Sequence, residues 1–460
     1  MEAVSQKRLA ILVSGGPAPG INSVIGAATI RAALEGVEVV GIQDGFRWIM
    51  QGDITHVKEL TIDKVSRLHF QGGSYLGTSR DNPTKKDQTL ENVVTSLMRL
   101  NVDKLITIGG DDTAYSAMKV EEKASGRIRV VHVPKTIDND LDLPHGIPTF
   151  GYQTARHVGV QIVKNLMIDA QTTSRWYFVV SMGRKAGHLA LGIGKAAGAT
   201  LTIIPEEFAP GYIPIQQIVD ILVGAIIKRL TYGRQDGVAI LAEGLGERLN
   251  PDELKELKHV ERDDYGNIRL AELSLGDILK EQVKRELRKL GIKLTIVSKD
   301  IGYELRSADP IPFDMEYTRD LGYTAAQFIL EGGNAAMVSI QNGHFVPLYF
   351  KDMLDHKTGK ARVRMVDVTS EYYFIARRYM LRLNQADFED PFELSKYAAT
   401  AGMSVEEFTQ RYQYLIEKDM LYQYLQQKKI KITGHESNLA HKPKEIREKE
   451  TASIEKEEKK

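Results

Sequence analysis

Short apolar runs rich in β-branched residues recur along the chain, separated by stretches of helix length. They fall at residues 9–13, 37–42, 104–108, 129–133, 176–180, 200–204 and 237–241, with a further one near 294–297. A strand followed by a helix cannot pair with the next strand through a tight turn; it crosses over and pairs in parallel, and a parallel sheet needs helices on both faces. The pattern therefore predicts an α/β fold of Rossmann-like lobes with largely parallel sheets flanked by helices. Ligands of such sheets bind beyond the carboxyl ends of the strands, so the residues just after each run carry the functional information.

Composition narrows the classes of ligand. The 460 residues are 42% hydrophobic and 27% charged, ordinary for a globular chain of two or three domains. Lysine plus arginine (61) equals aspartate plus glutamate (61), so no global field recruits nucleic acid or an anionic membrane. With no cysteine, disulfides, thiolate metal sites and cysteine nucleophiles are excluded. The N-terminal stretch lacks a signal-peptide apolar core, and no apolar run approaches the ~20 residues needed to span a bilayer. A cytoplasmic protein is the expectation.

Residues 14–20, Ser-Gly-Gly-Pro-Ala-Pro-Gly, lie between a strand and a helix. They are neither a Walker loop nor a dinucleotide fingerprint, and read equally as an anion cradle or as a tight turn. Residues 72–80 form a second glycine turn ending in Arg80, whose guanidinium can grip two phosphate oxygens at once. Asp111 and Asp112 follow the strand 104–108. One aspartate there is an ordinary helix cap, but two beside glycine phosphate loops ask for a cation between carboxylate and phosphate, the arrangement in which Mg²⁺ is bound. Lys135, Thr136, Asp138 and Asp140 follow the strand 129–133. Alternating aspartates in an extended segment point to one side, giving a general base and its support, although an Asx turn is also open to this stretch. Arg175 and Arg184 bracket the strand 176–180, and Glu243 and Arg306 end or follow later strands. His188 and His344 have no metal spacing and are read as packing or surface residues. Residues 250–290 read as an elaborated helical segment with a turn at 263–267, and 335–350 as a hairpin about Asn342-Gly343. Residues 366–424 read as helical, and 442–460 as a solvated Lys/Glu tail.

Six motifs in order give the chain a resemblance to the phosphofructokinase family, which phosphorylates fructose 6-phosphate at its 1-hydroxyl. They are Gly-Gly-Pro-Ala-Pro-Gly-Ile-Asn (15–22), Gly-Gly-Ser-Tyr-Leu-Gly-Thr-Ser-Arg (72–80), Gly-Gly-Asp-Asp-Thr (109–113), Pro-Lys-Thr-Ile-Asp-Asn-Asp (134–140), Met-Gly-Arg (182–184) and Ala-Glu-Gly (242–244). The resemblance runs from Arg8 to about Leu330. It implies a lobe for the phosphoryl donor over 1–149 and a sugar-phosphate lobe over 150–350, with a helical insertion near 248–292 and some chain crossing. A helical extension over 351–441 and the tail 442–460 would follow.

By the same resemblance Asp138 is the base that takes the sugar proton, with Asp140 and Thr136 supporting it. Asp111 helps hold Mg²⁺, and Gly16, Arg80 and Lys135 contact the donor. Met182, Gly183, Arg184 and Glu243 surround the sugar phosphate, and Arg184 also stabilises charge during transfer. Arg175 matches an arginine that the family lends to the 6-phosphate of a neighbouring subunit, which implies a homodimer or homotetramer; Arg306 binds the same phosphate. Bacterial ATP enzymes carry one more arginine where this chain has Met315. Arg319, one helical turn on, and Tyr303 are the expected substitutes.

Donor choice turns on Asp112, because ATP-using relatives usually have glycine there, leaving room for the α-phosphate. The resemblance is thus to the pyrophosphate-dependent members: reversible transfer from pyrophosphate to fructose 6-phosphate with Mg²⁺. An ATP-dependent enzyme of the same fold and a non-catalytic sugar-phosphate-binding homologue are the rival readings.

Overall fold

The computed structural model describes residues 7–141, 143–144, 146–255, 274–353 and 363–427. The expected turn at 263–267 and the tail 442–460 lie outside the described residues.

The first five strands, β1 (Arg8–Val13), β2 (Val39–Ile42), β3 (Val57–Leu60), β4 (Val102–Gly109) and β5 (Arg129–Pro134), belong to one sheet. The next four, β6 (Arg175–Ser181), β7 (Leu201–Ile203), β8 (Gly237–Ala242) and β9 (Thr295–Ile301), form a second. The chain then makes β10 (Ala336–Met337), β11 (Ile340–Gln341), β12 (His344–Phe345) and β13 (Leu348–Tyr349). Strand order in the first sheet is β13-β10-β5-β4-β1-β2-β3, and in the second β7-β8-β6-β9. All pairs of the second sheet are parallel; in the first, only the edge strands β3 and β13 run antiparallel. Two lobes with largely parallel sheets are as the sequence pattern predicts.

The interior follows from composition. Leu9–Val13 and most of β4, β5, β6 and β8 are buried, and the helices on either face complete the two main cores. Burial on both faces is what a run with no polar alternation requires.

Two points differ in detail from expectation. Within the span 150–350, for which some chain crossing is implied, the crossing comes after β9. The helix Pro312–Leu330 packs on the helix Ile21–Leu34 so closely that a Cβ on Gly322 would lie 2.5 Å from the Val24 carbonyl oxygen. β10 then pairs with β5, so the chain returns to the first lobe after β9. Parallel pairing with a free strand edge fixes the route, and periodicity does not reveal which edge is free. Second, the stretch from 366 is not helical from its start, since residues 363–370 are bridge, loop and turn before the helix Glu371–Arg378. Asn342 and Gly343 both have left-handed φ, 51° and 79°, the backbone of a two-residue hairpin turn joining β11 to β12.

The C-terminal helices are integral to the second lobe. Tyr373, Tyr397, Phe408 and Tyr412 are fully buried, Lys228 reaches Asp387 Oδ1 at 2.7 Å, and Arg382 reaches Glu207 at 2.9 Å. Among the described residues no helix is long and apolar enough to cross a membrane.

Candidate active site

The carboxyl ends of β1, β4, β5, β6 and β8 converge on one cleft of about 400 Å³. Its walls are the turns that follow those strands, together with Arg80 and Arg306.

After β1, Gly15 has a left-handed φ of 87° and its N–H donates to Ser79 O at 2.8 Å, which ties the two glycine turns together. Lys135 Nζ donates to the Gly16 carbonyl. A Cβ on Gly16 would lie 3.2 Å from Arg306 Nη1, so glycine lets two cations close on this turn. The arrangement is a cation-lined turn suited to an anion. Lys135 is buried, and burial pushes its ammonium down to about 8 despite the pull of Asp138; Arg184, Arg306 and Arg80 push it further the same way.

After β4, Asp111 and Asp112 open the helix Asp111–Ala124. Asp111 Oδ1 accepts from Arg184 Nη1 at 2.9 Å. Asp112 lies 3.9 Å from Arg184 Nη2, with its side chain 83% exposed at the cleft.

After β5, the Asp138 N–H donates to Thr136 Oγ1 at 3.0 Å, and Asp138 Oδ2 is 3.9 Å from Arg184 Nε. Asp138 Oδ1 is buried and has no hydrogen-bond partner among the described residues. A buried acceptor of this kind is costly, and at a cleft wall it marks a position for an incoming hydroxyl. Burial raises the carboxyl pKa of both Asp138 and Asp140; Arg184 opposes the shift at both. Of the two readings left open for 136–140, extended segment and turn, a wholly extended one does not hold, because Asn139 adopts a left-handed φ of 57°. Asp138 lines the cleft, whereas Asp140 is buried outside the lining residues. Asparagine is among the residues other than glycine that enter left-handed backbone most readily, and tertiary contacts select it here.

After β6 and β8, Arg184 and Glu243 meet. Arg184, itself at φ 50°, donates its N–H to Glu243 Oε1 at 3.1 Å, and the Gly183 N–H also serves Glu243. Burial alone would lower the Arg184 pKa, but Asp111, Asp138 and Asp140 outweigh it and hold the guanidinium firmly charged. Met182 lines the cleft and packs on Gly302, where a Cβ would come within 2.8 Å of its methyl group.

The structure thus brings Gly16, Arg80, Asp111, Asp112, Lys135, Thr136, Asp138, Met182, Arg184, Glu243 and Arg306 to one cleft. Tyr303 is largely exposed, with the Arg306 guanidinium 4.6 Å above its ring. Asp140, Gly183 and Tyr303 stand beside the lining residues rather than among them, and Arg319 and Arg175 lie elsewhere. Arg319 is exposed on the helix Pro312–Leu330 and does not line the cleft. Its placement one turn after Met315 puts it on a face that does not reach the site. Arg175 starts β6, at the strand end opposite the cleft, where its Nε makes no hydrogen bond and lies 3.9 Å from Asp169.

Sequence reasoning missed Lys85, Asn82 and Asp81, which also line the cleft. Their proximity to Arg80 in the same turn was the available signal. It also missed Asp314, fully buried, which accepts from the Gly151 N–H at 2.9 Å and from the Thr154 N–H and hydroxyl at 2.7 and 2.6 Å. This carboxylate fastens the returning helix to the start of the helix Tyr152–Thr173.

The chain is 53% identical over 416 residues to the pyrophosphate–fructose 6-phosphate 1-phosphotransferase of Thermotoga maritima, covering 89% of this chain and 99% of that protein. It is 51% identical over 418 residues to the protein of the same name in Naegleria fowleri, covering 89% and 96%. The solved structure of a pyrophosphate-dependent phosphofructokinase from Nitrosospira multiformis superposes with a TM-score of 0.60 over 87% of this chain and 93% of that one, at 17% identity, which bears on the fold alone. The model of the family described as Phosphofructokinase matches residues 8–329. That span holds all the strand-end turns of the cleft, and the chain belongs to the phosphofructokinase family.

Proposed function

We infer that the chain transfers a phosphoryl group from pyrophosphate to the 1-hydroxyl of fructose 6-phosphate, giving phosphate and fructose 1,6-bisphosphate, and that it runs in both directions. The observation that carries the chemistry is the buried, unpartnered Asp138 Oδ1 at the cleft wall, within reach of Arg184. A carboxylate lifted by burial is a stronger base than one in water, and it takes the hydroxyl proton as the oxygen attacks. Arg184 neutralises charge on the moving phosphoryl group. Lys135, Arg80 and the glycine turn at Gly16 orient the donor, and no covalent nucleophile is needed. Thr136 holds the Asp138 backbone. Met182, Gly183, Glu243, Arg306 and Tyr303 form the sugar-phosphate side.

Among the described residues no group of three or more His, Cys, Asp or Glu is placed to hold a metal, so there is no protein cage. A single strand-end carboxylate, Asp111, beside phosphate-binding cations fits a hard ion held jointly by protein and substrate, as Mg²⁺ is. Such an ion would be held by Asp111 and would offset the negative charge of the donor. Pyrophosphate is favoured over ATP by the donor named for relatives above half identity and by Asp112 at the cleft. Initial rates of one purified sample with pyrophosphate and with ATP test this reading; turnover with ATP and none with pyrophosphate overturns it.

The site is completed in this reading by Arg175 of a neighbouring subunit, making the active unit a homodimer or homotetramer in the cytoplasm. Support comes from its place at the strand end opposite this chain's own cleft, which it does not line. A charged hydrogen bond to phosphate contributes about 1.5–3 kcal/mol, so Arg175→Ala is expected to raise KM for fructose 6-phosphate roughly ten- to a hundredfold with kcat largely kept. Steady-state kinetics and sedimentation check it, and a fully active monomer contradicts it.

A further inference from the structure

The family match ends at residue 329, yet a segment beyond it lies against the loop that carries the base. Val363 bridges Leu141 in antiparallel fashion, and the Arg364 N–H donates to Asp140 O at 2.7 Å. His188 Nε2 donates to the Arg364 carbonyl at 3.1 Å. The Arg364 guanidinium turns onto the same loop. Its Nε donates to Asn139 O at 3.1 Å, Nη2 to Asn139 Oδ1, and Nη1 to Ile147 O at 2.8 Å, with a longer contact to Leu143 O. Two residues on, the Val366 N–H donates to Glu206 Oε1 at 3.0 Å, an oxygen that also accepts from the Gly187 N–H at 2.8 Å.

We propose that Arg364 is a positioning residue for phosphoryl transfer, fixing the Asp138–Asp140 loop through Asn139, so that the C-terminal segment is part of the machinery that holds the base. Arg364 is not among the cleft-lining residues, so it acts through the loop. Asn139 stands between the two buried aspartates in a left-handed conformation, and its torsions set the angle between their carboxylates. Asparagine enters this conformation more readily than most residues, so the contacts around it decide whether the loop takes it. Arg364 supplies bonds to both the carbonyl and the side chain of Asn139, and the Thr149 N–H adds another to Asn139 Oδ1 at 3.0 Å. The planar five-donor fork of arginine can reach acceptors on two sides of a loop at once, which lysine cannot. The strap also touches the second lobe at His188 and Glu206, so it ties the loop to the lobe that carries Arg184.

The inference rests on Asp138 being the base. Turnover of Asp138→Asn tests that reading, and the ratio of Arg364 variant to wild type tests this one. In Arg364→Ala the backbone strap remains, because the Val363–Leu141 bridge and the Arg364 N–H bond need no side chain. A base displaced by a fraction of an ångström is expected to lower kcat about 10- to 100-fold, with KM for both substrates within about threefold. Added guanidinium ion at millimolar concentration is expected to restore part of the lost kcat in Arg364→Ala and none in Arg364→Lys, whose ammonium fills the space. Asn139→Gly allows the torsion and removes only the Oδ1 acceptor, leaving the Asn139 and Ile147 carbonyls to Arg364, so the losses in the double variant Asn139→Gly/Arg364→Ala should be less than additive. Unchanged kcat in Arg364→Ala, a loss that follows the thermal midpoint without rescue, or fully additive losses would each overturn the proposal.

Discussion

Asp138→Asn is expected to lower kcat by about 10²- to 10⁴-fold while binding of fructose 6-phosphate, followed by calorimetry, changes little. The amide keeps the shape of the carboxylate and removes its charge and its capacity to take a proton. The group is buried, its Oδ1 has no partner among the described residues, and burial raises its pKa against the opposing pull of Arg184. Two further results follow from that shift. The acid limb of kcat should lie above the ordinary carboxylate range, since the base is lost to protonation as pH falls through its raised pKa. Stability should move the other way. A carboxyl whose pKa is higher folded than unfolded binds more protons folded, so it costs stability at neutral pH, and the cost disappears as pH falls below the unfolded value. Asp138→Asn should therefore melt higher than wild type at pH 7.5, with the difference shrinking toward pH 4. Near-normal turnover, or a lower melting point at neutral pH, would remove Asp138 from the role.

The parts of the site that were legible in the sequence are those that immediately follow a strand. Asp111, Lys135, Asp138, Arg184 and Glu243 each come within a few residues of an apolar run, and a parallel sheet places all such positions on one edge. Asn139 was harder, because asparagine serves equally in extended and left-handed backbone, and only tertiary contacts choose between them. Arg364 could not be read at all. It meets Asn139 across 225 positions, from a stretch whose neighbours read as helix, and its partners are mostly backbone carbonyls that carry no residue signature. Some chain crossing was implied, but its place, the return of 312–349 to the first lobe, was hidden for a related reason. Alternation of strand and helix specifies parallel pairing but not the edge at which a later strand joins. Arg319 failed because helical spacing identifies a shared face without saying what that face meets.

Asp112→Gly is expected to weaken activity with pyrophosphate and to create or raise activity with ATP. The size of the change depends on where the carboxylate stands. It lines the cleft 3.9 Å from Arg184 Nη2, yet its side chain is 83% exposed. A carboxylate about 4 Å from an additional phosphate oxygen repels it by about 4 kcal/mol at an effective dielectric of 20, but by only about 1 kcal/mol in water. Such exposure places Asp112 nearer the watery limit, so charge alone is worth about five- to tenfold in donor choice. Any larger switch has to come from bulk that blocks the α-phosphate. Asp112→Asn separates the two, since it removes the charge and keeps the volume. If charge dominates, Asn and Gly variants shift donor preference equally; if bulk dominates, only Gly shifts it, and by more than tenfold. The helix Asp111–Ala124 pays for either change, because an acidic residue in a first turn contributes about 0.3–1 kcal/mol, so rates should be compared below both melting transitions. A wild-type enzyme that prefers ATP, or a glycine variant whose ratio of kcat/KM for the two donors does not move, would show that donor choice is made elsewhere in the cleft. Lys85 and Asn82, which line it beyond Arg80, would then be the next residues to exchange.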